Sequence, residues 1–172
     1  MQRIAIVGPE SSGKTTLALA LSERLGAAMV PEAARAFLTG LGRPYAEADL
    51  LTIAKLQVER EELEAAARSG CGLLLCDTDL LTILIWSEEK FGRCDPWIEA
   101  ECERRRFGLW LLCRPDIPWE PDPLRENPHD RDRLFMVYAS RLQRLGRPFR
   151  IIEGTLEQRL ATARAAILEL SN

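Results

Sequence analysis

Residues 8–15 read G-P-E-S-S-G-K-T, which is the G-x-x-x-x-G-K-[ST] spacing of a phosphate-binding loop. No other stretch constrains the fold as strongly. The apolar run Ile4-Ala5-Ile6-Val7 leads into the motif and a helical pattern follows it, which is the strand–loop–helix context it requires. Gly8 and Gly13 permit a loop whose backbone N–H groups curl around phosphates at a helix N-terminus. Lys14 brings a positive charge to the β- and γ-phosphates, and the Thr15 hydroxyl can ligate Mg²⁺. With Glu10, Ser11, Ser12 and Thr16, these residues form the expected ATP contact, with ATP and Mg²⁺ as cofactors.

Further along, apolar runs alternate with helical patterns. Leu17, Leu21 and Leu25 make an i, i+4, i+8 ladder over 16–25, stopped by Gly26. A weak second strand at 27–30 ends in Pro31-Glu32-Ala33-Ala34-Arg35. That puts a carboxylate and a guanidinium just past a strand end, where open α/β sheets bind ligands. Gly40, Gly42 and Pro44 mark 36–45 as loop or helix end, and 46–69 reads as a long helix that includes Gln57. A turn at 69–72 precedes the continuous apolar strand 73–76, which ends in Asp77-Thr78-Asp79. An apolar strand ending in Asp is the usual form of the second phosphate-site motif, whose carboxylate holds Mg²⁺. Asp77 is assigned to the metal and Asp79 to a substrate hydroxyl, although the spacing alone allows the reverse.

Residues 80–89, including Trp86, and 96–106 return to helix, and 109–113 is a fourth strand. Five prolines within 114–128 rule out regular structure there and predict a long functional loop, a lid over about 114–133. Arg125, Arg131 and Arg133 lie in or just after it, and an Arg on a closing lid neutralises charge during phosphoryl transfer. A helix at 132–145, a fifth strand at 149–152, a turn and a last helix at 156–170 complete the chain. Five strands alternating with helices predict a three-layer α/β P-loop fold, a single domain over 1–172.

A net charge of −3 leaves no basic footprint for nucleic acid. The five cysteines form no C-x-x-C pair and no disulfide framework is expected. No stretch approaches the roughly 18–20 apolar residues of a membrane span. A cytoplasmic enzyme without nucleic-acid or membrane partners is the expectation. His129, the single histidine, has no nucleophile pattern beside it. A guanine-specific GTPase would carry an N-K-x-D-type motif, and none is present; a kinase needs an acceptor pocket, a base and a lid. Glu32 or Asp77 as base, Trp86 and Trp119 as flat surfaces for a ring, and the Arg-bearing loop supply those parts.

The stretches G-P-E-S-S-G-K-T-T, P-E-A-A-R, I-A-x-L-Q, C-D-T-D-L-L-T and P-D-I-P-W-x-x-D-x-x-R resemble, in order, the ribosylnicotinamide kinase domain of NadR-type proteins. The resemblance implies a nucleoside-monophosphate-kinase-like fold with strand order 2-3-1-4-5. It also implies ATP-dependent phosphorylation of the 5′-hydroxyl of nicotinamide riboside. Carried over, Glu32 and Arg35 face the acceptor ribose, Gln57 contacts the base side, Asp77 and Asp79 serve metal and sugar, and Trp119, Asp122 and Arg125 form the lid. NadR-type proteins often add a DNA-binding and an adenylyltransferase domain. A chain with one histidine cannot hold the latter's H-x-G-H motif, so neither DNA binding nor dinucleotide synthesis is expected of it.

Overall fold

The computed structural model describes residues 1–68 and 72–170. The turn expected at 69–72 falls mostly outside the described residues. Five strands form one parallel sheet: β1 Gln2–Val7, β2 Ala28–Val30, β3 Leu73–Asp77, β4 Leu109–Cys113 and β5 Phe149–Ile152. Their order is β2-β3-β1-β4-β5, as expected. The central register aligns Ile6 with Asp77 on one side and Leu111 on the other, so β1, β3 and β4 end together at one edge.

Side-chain alternation along the strands divides the core into two layers. Ala5 and Val7 of β1, Cys76 of β3 and Trp110 of β4 face one cluster. Helices α2 Ala33–Leu41, α3 Glu47–Ala67, α4 Leu80–Phe91, α5 Pro96–Arg104 and α6 Arg131–Arg144 cover that side. Ile4, Ile6, Leu75 and Leu111 face the other cluster, under α1 Lys14–Leu25 and α7 Leu156–Glu169. Strands buried on both faces explain why β3 and β4 read as unbroken apolar runs.

The structure corrects one element. Residues 36–41, expected to be loop or a helix end, belong to α2. Glu32 sits at its N-cap, Ala33 and Ala34 are buried, and Gly42 ends the helix in the left-handed conformation, so Gly40 is tolerated inside it. Residues 114–130 contain no helix or strand, as the prolines predict.

Candidate functional site

The loop between β1 and α1 takes a shape that depends on its glycines. Gly8 has φ of +142°, and a Cβ there would lie 2.6 Å from the Cys113 carbonyl oxygen. Gly13 adopts the left-handed conformation and caps α1, so the first N–H groups of that helix open into the cleft. Ser12 Oγ donates to the Pro9 carbonyl at 2.8 Å. Lys14 Nζ donates to the carbonyls of Gly8 (2.9 Å) and Pro9 (2.7 Å), which holds its charge over the loop. Arg159, only 3% exposed, braces the loop from behind. It donates to the carbonyls of Ser12 (2.7 Å), Gly154 (2.9 Å) and Arg114 (2.9 Å) and pairs with Asp116. Nothing in its helical spacing distinguishes Arg159 from a solvated arginine, and sequence reading missed it.

Asp77 stands at the end of β3, where Thr15 Oγ1 donates to its Oδ2 at 2.7 Å. Its other oxygen, Oδ1, is buried and has no hydrogen-bond partner among the described residues. Burial raises its carboxyl above the ordinary range, against the Thr15 hydrogen bond and the charges of Lys14 and Arg35. A hydroxyl beside a carboxylate with an unsatisfied oxygen is a donor set that suits a hard divalent cation. Among the described residues, no group of three or more His, Cys, Asp or Glu could hold a metal unaided. Phosphate and water oxygens would therefore have to complete the shell.

Glu32 lines the same cleft from the N-terminus of α2. Burial raises its carboxyl; Lys14 pulls it back, Asp77 pushes it up and Arg35 opposes. Glu32 and Asp77 thus share one electrostatic environment with Lys14.

Thr78 separates the two aspartates with φ of +82°, a strained value for a β-branched residue. Asp79 turns away from the cleft and is 2% exposed. Its Oδ1 accepts from the Leu81 N–H at 3.0 Å, capping α4, and its Oδ2 accepts from Trp110 Nε1 at 2.8 Å. The substrate contact expected of Asp79 is therefore not supported by its placement. Gln57 is likewise displaced from the role expected of it. It is 1% exposed, accepts from the Ala33 N–H at 2.9 Å and donates to Glu61 at 3.1 Å, bracing the start of α2.

A cleft of about 230 Å³ continues from the phosphate loop into an apolar half walled by Leu38, Ile85, Trp86, Leu124, Leu134 and Tyr138. Arg35 and Thr82 add polar groups, so this half suits a flat ring carrying a polar sugar. Tyr138 was missed in the sequence. It lies on the buried stripe of α6 with Leu134 and Leu142, and an aromatic hydroxyl at i+4 from Leu134 was the available signal.

The Pro-rich loop closes over the phosphate loop. Glu10 Oε2 accepts from the N–H groups of Glu126 (3.0 Å) and Asn127 (2.9 Å). Ser11 Oγ accepts from the Glu120 N–H (3.0 Å) and from Arg125 Nη1 (3.3 Å). Arg131 Nη1 donates to the carbonyls of Ser11 (3.0 Å) and Ile117 (3.1 Å). Glu10 and Ser11, expected at the phosphates, are thus engaged with the lid. Arg35 and Asp122 form a 3.0 Å ion pair between α2 and the lid. Trp119, expected to stack on substrate, instead lies under the guanidinium groups of Arg125 (5.9 Å) and Arg131 (5.7 Å) and is not part of the cleft wall. Thr16 lines the cleft, whereas Arg133 pairs with Glu89 and Asp130 on the surface. His129 is exposed and outside the cleft wall.

A family model described as an AAA domain matches residues 3–159. The trifunctional NAD biosynthesis/regulator proteins NadR of Salmonella typhimurium and Escherichia coli are each 26% identical over 139 residues. That match takes in 77% of this chain and 33% of theirs, so the chain spans about a third of the length of these curated relatives. A structure of NadR in complex with NR superposes with a TM-score of 0.81 at 21% identity, covering 98% of this chain and 51% of that one. NadR in complex with NAD and AMP-PNP gives 0.78 at 19%, covering 98% and 49%. Deoxyadenosine kinase from M. mycoides, with the products dCMP and a flexible dCDP, gives 0.63 at 12%, covering 97% and 99%. At these identities the structural likeness establishes a shared P-loop fold. By a match that spans most of its length, the chain belongs to the AAA domain family, and its P-loop domain is similar to that of NadR.

Proposed function

We propose that this chain is an ATP-dependent nucleoside kinase whose acceptor is the 5′-hydroxyl of nicotinamide riboside, giving nicotinamide mononucleotide. The observation that carries the reading is one cleft. It joins the phosphate loop, whose Thr15 is hydrogen-bonded to Asp77, to an apolar, aromatic-walled half, and Glu32 and Arg125 line it too. The ligands bound in the similar structures, NR and AMP-PNP for NadR and deoxynucleotides for deoxyadenosine kinase, support the same class.

Residues of this chain would divide the work as follows. The loop N–H groups and Lys14 fix the phosphates and stabilise charge on the moving phosphoryl group. Glu32, whose carboxyl has no hydrogen-bond partner among the described residues, orients the acceptor hydroxyl and takes its proton; a raised pKa makes it the better base while still ionised. Trp86 and Tyr138 wall the ring, and a cationic ring gains from their π-faces. Arg125 and the lid exclude water, which favours transfer to the acceptor over hydrolysis. Thr15 and Asp77 would hold Mg²⁺, which supplies charge neutralisation between the β- and γ-phosphates when bound.

The test is ADP release from MgATP with nicotinamide riboside, other nucleosides and no acceptor in parallel. Strong stimulation by nicotinamide riboside alone is the expected result. Stimulation by another nucleoside, the second reading favoured by the likeness to deoxyadenosine kinase, would replace the substrate and keep the mechanism. Slow hydrolysis indifferent to every acceptor would remove the kinase reading. No helix among the described residues is long and apolar enough to cross a membrane, and the proposed reaction would take place in the cytoplasm.

A further inference from the structure

We propose that Tyr45, in the segment between α2 and α3, is a positioning residue that couples the acceptor half of the cleft to the lid. Its hydroxyl accepts from Trp86 Nε1 at 3.0 Å and donates to Glu126 Oε2 at 2.8 Å. Trp86 is a wall of the cleft, and Glu126 belongs to the lid. A single hydroxyl therefore links the surface that a ring would touch to the loop that covers it.

Glu126 is held from both ends of the cleft. Its carboxylate takes Tyr45 and also Lys90 Nζ, at 2.9 and 3.1 Å, while its backbone N–H donates to Glu10 of the phosphate loop at 3.0 Å. Lys90 Nζ lies 5.4 Å from the centroid of the Tyr45 ring, and that ring packs edge-on against Trp86 and Phe91, with centroids 5.0 and 6.2 Å apart. Aromatic packing fixes the ring, so the hydroxyl has one direction in which to reach the lid. Displacing Trp86 displaces the Tyr45 hydroxyl, and the lid feels it at the residue that the phosphate loop also grips. Lid position then reads both halves of the cleft, and Tyr45 carries the acceptor half's share.

The substrate side of this inference rests on the kinase reading; the lid contact itself does not. The experiment compares the wild-type chain with Tyr45→Phe, which keeps the ring and removes the hydroxyl. Hydrogen–deuterium exchange of the lid segment 119–128 is followed with and without nicotinamide riboside, and Tm serves as a control for folding. Without acceptor, the lid of the variant should exchange several-fold faster at unchanged Tm. Nicotinamide riboside should slow exchange in the wild type and have a smaller effect in the variant. In steady-state kinetics the acceptor KM should rise several-fold while the ATP KM stays near its wild-type value. A second variant, Glu126→Gln, keeps an acceptor oxygen for Tyr45 but loses the Lys90 ion pair. Added to Tyr45→Phe, it should increase exchange by less than the sum of the two single effects, because both act through one carboxylate. Equal lid exchange in the wild type and Tyr45→Phe without acceptor, at equal Tm, would overturn the coupling. If nicotinamide riboside fails to protect the wild-type lid while the two proteins still differ without it, the substrate assignment falls and the Tyr45 latch stands.

Discussion

Thr15 Oγ1 donates to Asp77 Oδ2 at 2.7 Å, joining the first turn of α1 to the end of β3. The hydrogen bond uses one carboxylate oxygen and leaves the other buried without a partner among the described residues. Asp77→Asn keeps a group able to pair with Thr15 but removes the charge that would attract a cation. The half-saturating Mg²⁺ concentration for ADP release should rise by about tenfold or more, the range found when a metal site loses a supporting group. Because burial already disfavours the ionised form of Asp77, Tm should not fall. A Mg²⁺ titration of the variant that superposes on the wild type would remove Asp77 from the metal site.

Among the described residues, Lys14 Nζ is anchored to the loop carbonyls of Gly8 and Pro9, so truncating it removes charge without opening the core. Lys14→Ala should lower turnover by on the order of 10² or more, as loss of a charge-stabilising group does. Circular dichroism and Tm should remain close to wild type. Near-normal turnover would exclude the loop from catalysis.

Asp79 has the opposite profile. Asp79→Ala removes the cap of α4 and leaves the buried Trp110 N–H unpaired. The cost is about 2–4 kcal/mol, combining a lost N-cap with an orphaned donor. Asn at this position keeps one acceptor oxygen, so it can satisfy only one of the two donors and should recover only part of that stability. Denaturant unfolding of the two variants checks this, with acceptor KM unchanged in Asp79→Asn. A large KM effect without a stability effect in Asp79→Asn would return the residue to the substrate site.

The phosphate end of the cleft was legible because its chemistry demands glycines at set intervals and a lysine at a set place. The sheet was legible for a similar reason: strands buried on both faces cannot carry polar residues, so β3 and β4 stand out as apolar runs. Asp77 and Asp79 were not separable, since their difference arises from the φ of Thr78, a local strain that the tertiary structure imposes. The base-side contact of Gln57 rests on the family resemblance alone, and the Ala33 N–H and Glu61 hold it in the core. The closure of the lid was hidden more deeply. Glu10 reaches backbone N–H groups at Glu126 and Asn127, and a contact to a backbone amide leaves no trace in residue types. Tyr45, between α2 and α3, and Tyr138, on α6, join the site through tertiary packing, which residue types and periodicity do not reveal.

Glu61 on α3 is fully buried and plays no part in the cleft, yet it should shape the response of the fold to pH. Burial pushes its carboxyl from an ordinary value of 4.5 up to about 7, against the attraction of Arg105 and the hydrogen bond from Gln57, with Asp79 adding to the rise. Arg105 Nη2 contacts it at 2.7 Å and also pairs through Nη1 with Glu62, which is itself tied to Arg3, and the Cys76 thiol is a further neighbour. A carboxyl whose pKa is higher in the folded chain than in the unfolded one binds protons preferentially in the folded state. Its stabilising contribution is complete below about 4.5 and is lost as pH rises through about 7. Glu61→Gln retains an oxygen for Arg105 and cannot ionise. Other raised carboxyls, Glu32, Asp77 and Asp79, titrate in both proteins, so the difference between the two isolates Glu61. Tm measured from pH 5 to 8 should fall more steeply in the wild type, with the variant gaining on it as pH rises. Parallel curves would mean that Arg105 keeps Glu61 ionised throughout and that the buried pair, rather than burial alone, sets its charge.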